Sequence, residues 1–195
     1  MHTSTKFICL MFLSINVALA QSNQKETQTT ETKMDAFASR TGVITKFIDY
    51  KLPSLKLFLG EPAQTRIRKV MSGLETRYFY VVEKQSKTST STGSIEYNDL
   101  LQVTKVLATL KGEALNDLSS KRDYVENKYV TDDGFQFGYY ITGGKSKWYI
   151  KLEQNGTDNT LFINDVQTIE NSFNEAKYKI EAIKSDLDKG LALQH

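Results

Sequence analysis

Apolar and polar residues alternate in short runs from about Val43 onward. The runs 43–50, 55–59, 65–71, 76–84 and 94–97 are rich in β-branched and aromatic residues, the signature of strands. Turn signals separate them: Leu52-Pro53, Gly60-Glu61-Pro62, Ser72-Gly73 and the Ser/Thr stretch 86–93. The period then changes. Leu100, Val103, Leu107, Leu110 and Ala114 are spaced 3, 4, 3, 4, which predicts an amphipathic helix with Asn98 or Asp99 as its N-cap. Strands return at 124–130, 135–142, 146–153 and 160–163. Their turns are Asp132-Asp133-Gly134, Gly143-Gly144 and Asn155-Gly156. A second helix follows, capped by Asn164 or Asp165. Its stripe is Val166, Ile169, Phe173, Ala176, Ile180, Ile183 and Leu187.

The two halves superpose as sequences. An offset of 70 carries Ser72-Gly73 onto Thr142-Gly143, Arg77 onto Lys147, Tyr78 onto Trp148, Phe79 onto Tyr149 and Glu83 onto Glu153. At the helices the offset is 66, carrying Asn98-Asp99 onto Asn164-Asp165 and Val103 onto Ile169. Upstream, Lys46-Phe47-Ile48 matches Lys128-Tyr129-Val130, with an insertion at 53–64 in the first copy. Each unit is a strand meander carrying one helix whose apolar stripe it cannot hide alone. Two such units predict an α+β fold: a duplicated antiparallel β-meander plus helix, forming one continuous sheet with two helices on one face. The pseudo-repeats are 41–118 and 122–188, within a single domain at 41–190. This layout resembles TATA-binding-protein-like folds and β-lactamase inhibitor proteins, an architectural likeness that transfers no function.

The ends of the chain change the available chemistry. Lys6, the apolar run 7–17 and the small-x-small site Ala18-Leu19-Ala20 match a secretory signal peptide over 1–20, cleaved after Ala20. The run is too short to span a bilayer. The segment 21–40 reads as a flexible polar tether, since 21–33 holds no apolar residue. Cleavage removes His2 and Cys9, leaving His195 as the only histidine and no cysteine. Catalytic triads, Cys/His dyads and His- or Cys-built metal sites are thereby excluded from the folded body, so neither cofactor nor metal is expected. The full chain has 25 basic and 23 acidic side chains, a net charge of +2. That balance gives no electrostatic case for nucleic acid or an anionic membrane surface.

Strand parity assigns the faces. Tyr78, Tyr80 and Val82, with Trp148, Ile150 and Leu152, should meet the helices, together with Ile67, Met71, Phe137 and Ile141. The opposite, open face should carry Arg66, Arg68, Phe79, Tyr140, Tyr149 and Lys151. Arginine and aromatic side chains on a rigid sheet are common interface anchors, and these six are the candidate binding residues. Other motifs reduce to turns. The oxygen-rich segments 132–134 and 155–159 lack calcium-loop spacing. Thr142 and Lys145 have dyad spacing inside a tight Gly-Gly turn. Asn155-Gly156-Thr157 matches an N-glycosylation acceptor.

The stretches RYFYVVEK, YVTDDGFQFGYY and DNTLFIND resemble small exported proteins of Bacteroidota, a group without known activity. The resemblance implies export and no site residues. The functional expectation is a periplasmic or secreted, monomeric, non-enzymatic binding module. It would present its open sheet face or first-half loops to a protein or glycan. The alternatives are a carboxylate-based hydrolase acting on glycan and an envelope structural protein.

Overall fold

A computed structural model describes residues 31–87, 89–120, 122–153 and 159–192, the last six through their backbone only. The expected signal peptide, the tether before Glu31 and the Asn155-Gly156-Thr157 motif lie outside these residues. The element order is α1 (Lys33–Ala38), β1 (Thr45–Leu55), β2 (Ala63–Ser72), β3 (Glu75–Gln85), β4 (Thr90–Glu96), α2 (Tyr97–Leu118), β5 (Val125–Val130), β6 (Gln136–Thr142), β7 (Lys145–Lys151), β8 (Thr160–Ile163) and α3 (Val166–Ala192). This is an α+β fold. All strand pairs are antiparallel.

The strands hydrogen-bond as two ladders, β1-β2-β3-β4 and β5-β6-β7-β8, where a single continuous sheet is expected from the sequence. Among the described residues, single hydrogen bonds bridge the two ladders. Thr92 N–H donates to the Glu153 carboxylate at 3.1 Å. Phe58 N–H donates to the Phe162 carbonyl at 2.8 Å. A Cβ on Gly93 would stand 2.8 Å from the Leu152 carbonyl oxygen and 2.9 Å from the Phe135 ring, so only glycine allows this approach.

α2 and α3 pack on the same side, and one core unites the halves. The α2 stripe Leu100, Val103, Leu107, Leu110 and Ala114 is buried. So are Ile169, Phe173, Ala176, Ile180 and Ile183 of α3. The helices cross the seam: α2 touches β5, β6 and β7 as well as β3 and β4, and α3 touches β1 and β2. Phe173 sits at the centre, edge-on to Tyr80 at 6.1 Å and to Phe137 at 5.6 Å. The Tyr80 and Ser172 hydroxyls share a buried 2.6 Å bond across the seam. On the α2 side, Tyr139 OH donates to Asp117 at 2.7 Å.

The registers repeat with the offsets read from the sequence. Tyr80↔Ile95 becomes Ile150↔Leu161, and Ser72↔Glu75 becomes Thr142↔Lys145. The first strand of each unit needs a correction. Ile48 faces Lys69, and Asn127 faces Tyr139, so Ile48 corresponds to Asn127 and not to Val130. The apolar match of Lys46-Phe47-Ile48 with Lys128-Tyr129-Val130 is three residues out, and an odd slip reverses the faces. Phe47 is half-exposed, while Tyr129 packs on Phe137 at 5.7 Å.

Three further boundaries differ. β1 continues through Leu52-Pro53, because an edge strand tolerates proline at an irregularity, here between Leu52 and Leu55. Residues 56–59, expected in a strand, are loop. α2 starts at Tyr97 behind Glu96, so Asn98 and Asp99 lie within its first turn, whereas Thr168 N–H does bond the Asp165 carboxylate at 2.8 Å.

Candidate functional site: an aromatic sheet face

The outer face of the first sheet is largely closed. Within the segment read as tether, Thr32 caps α1 by accepting from Asp35 N–H at 3.1 Å, and the helix lays Phe37 on Val70, Phe79 and Val81. Phe79, expected on the open face, is therefore 0% exposed. Arg66 and Arg68 point to the expected side, but both are ion-paired. Arg68 grips Asp49 with two bonds, Nε–Oδ1 at 2.8 Å and Nη2–Oδ2 at 2.7 Å. Arg66 Nη1 reaches Glu83 at 3.0 Å. The Arg68 bond holds the Asp49 carboxyl below its usual range, against the opposing effect of burial.

The outer face of the second sheet is different. Tyr124 and Tyr140 stack at 6.2 Å, and Tyr140 tilts against Tyr149 at 6.4 Å. Phe162 from β8 stands opposite Tyr149 and is 47% exposed. Glu126 accepts from both Tyr149 OH, at 2.6 Å, and Tyr124 OH, at 3.0 Å. The Tyr149 bond lowers the Glu126 carboxyl; burial, then that same carboxylate, raises the Tyr149 phenol. Tyr149 is itself nearly buried, Tyr140 is half-buried, and Lys151 is half-buried farther along β7.

Two depressions meet at Tyr140 and Phe162. A shallow one of about 270 Å³ includes Tyr124 and Glu126. A groove of about 560 Å³ runs past Lys145, Lys147 and Trp148 to Phe58 and Leu59. Phe58 is 61% exposed, and its loop is tied to β8 by the bond to Phe162. Lys147 Nζ lies 5.9 Å from the Tyr140 ring centroid. The structure thus brings Tyr140 and Tyr149 together on one patch and separates them from Arg66, Arg68 and Phe79. Sequence reasoning missed Tyr124, Glu126, Phe58 and Phe162. Phe162 was within reach of it, since parity places this residue opposite to Leu161 and Ile163.

A separate polar cluster joins the N-terminal segment to both halves. Lys33 Nζ pairs with Asp99 at 2.7 Å and Asp132 at 3.3 Å, and its N–H donates to Asp133 at 2.9 Å. Burial is the main influence on the Asp133 carboxyl and raises it. Among the described residues, no three His, Cys, Asp or Glu side chains are grouped to hold a metal. Likewise, no described helix is long and apolar enough to cross a membrane.

No family model, curated protein or solved structure matches this chain.

Proposed function

We propose that this protein is an exported, non-enzymatic binding module. Its docking surface is the outer face of the second sheet together with the Phe58-Leu59 loop. The leader pattern at 1–20 supports export. The observation that carries the binding role is the clustering of Tyr124, Tyr140 and Phe162 around a groove, on strands held rigid by a shared core. Aromatic anchors of this kind supply contact area at little cost in side-chain entropy. Hydrolysis by paired carboxylates fits less well. The 560 Å³ groove has no carboxylate in its lining, and the 270 Å³ depression has Glu126 alone, already engaged by two phenols.

The test is recovery of partners from envelope extract of cells that make the protein, with wild type beside Tyr140→Ala/Phe162→Ala. Both side chains reach the surface, so the variant should keep its circular dichroism and melting profile. The expected result is loss of the specific partner from the double variant. Equal recovery by both proteins would reject this face as the docking surface.

A further inference from the structure

The duplication places the same face in both halves, and the two copies are treated differently. The paired registers carry Val70 onto Tyr140, Glu75 onto Lys145, Arg77 onto Lys147 and Phe79 onto Tyr149, and they carry Glu96 onto Phe162. In the first half, the chain's own α1 occupies this surface. Phe37 is 3% exposed and lies against Val70, Phe79 and Val81. Two guanidinium groups lie over its ring, Arg40 at 4.8 Å from the centroid and Arg77 at 4.6 Å. Three residues beyond Phe37, Arg40 forms a two-pronged ion pair with Glu75.

In the second half, no described helix lies on the equivalent residues, although Tyr149 is nearly buried beside Tyr140 and Glu126, and the Phe58 loop reaches the Phe162 edge. Phe162 is 47% exposed. Lys147, the counterpart of Arg77, lies over Tyr140 instead of over an incoming ring. Lys145, the counterpart of Glu75, is exposed and has no carboxylate partner among the described residues. Charge at this position is therefore reversed between the halves.

We infer that the second-half face seats a segment of a partner protein in the way the first-half face seats α1. The segment supplies one aromatic anchor against Tyr140 and Phe162, covered by Lys147. It carries an aspartate or glutamate three residues after the anchor, where Arg40 follows α1 in the first half, to meet Lys145. A second copy's α1 segment is the wrong occupant, because the Arg40 that follows the helix would face Lys145. This inference rests on the binding role proposed above and names the chemistry of the partner.

The experiment is selection of displayed random twelve-residue segments on the full chain, read by sequencing. Wild type, Tyr140→Ala and Lys145→Glu proteins are used side by side. Wild type should enrich segments of the form aromatic-x-x-acid at least tenfold. That enrichment should vanish on Tyr140→Ala, and Lys145→Glu should shift the preference to aromatic-x-x-Lys/Arg. A pool indifferent to Tyr140→Ala overturns the inference, as does a pool without the acid or one in which wild type prefers the basic form. No enrichment also overturns it. If extract recovery still depends on Tyr140 and Phe162 in that case, the face binds another class of ligand, such as glycan, and the broader binding role stands.

Discussion

Phe37 is a large buried ring carried by a helix of six residues, with two guanidinium groups close to it. Its truncation removes the centre of the small outer cluster. Phe37→Ala should lower stability by about 3 kcal/mol, measured as a shift in urea unfolding. Titratable residues should act with opposite signs. The Asp49 carboxyl is lowered by Arg68, so its contribution is present above the ordinary aspartate range and is lost as pH falls through its folded value. The melting temperature of Asp49→Asn should lie below wild type at neutral pH, and the gap should close in acid. The Asp133 carboxyl is raised, chiefly by burial. Its contribution is full below the ordinary aspartate range and declines as pH climbs toward the raised folded value. Asp133→Asn should flatten that limb of the melting-temperature curve.

Elements were legible where burial follows a strict period. The two helix stripes and β8 could be read because one uninterrupted apolar face dictates each. α1 escaped because six residues offer less than two turns of periodicity. Its signs were local: Thr32 three residues before Asp35, and Met34 one turn before Phe37. Pro53 misled in the other direction, since its missing N–H matters little on an edge strand. The aromatic face was half legible. Parity gave Tyr140 and Tyr149 the correct side, but nothing local showed that α1 would cover Phe79, or that the 53–64 insertion would carry Phe58 to β8. Glycine marks two close approaches. At Gly138 an added Cβ would stand 2.3 Å from the Asn127 carbonyl oxygen. Gly138→Ala should cost about 3 kcal/mol by chemical denaturation, because backbone cannot yield as a side chain does.

The whole molecule is joined through its helices. The single tryptophan, Trp148, reports on the second half, while far-UV circular dichroism reports on both. The two signals should change together in one unfolding transition. Gly93→Ala strikes the seam and should lower that common transition by about 1–3 kcal/mol without separating the signals. Two displaced curves would mean that the halves unfold independently.

The crossing of α2 and α3 over the seam has a consequence for the chain as a covalent object. A lone repeat would keep only part of its roof, because much of what shelters each ladder belongs to the neighbouring repeat. Such a piece could complete its interior only by meeting a second one, at a rate set by how crowded the solution is. Linking two of them in tandem makes that encounter unimolecular and thus independent of dilution. Once joined, the copies can diverge, and each outer wall can acquire its own character while the shared interior holds them together.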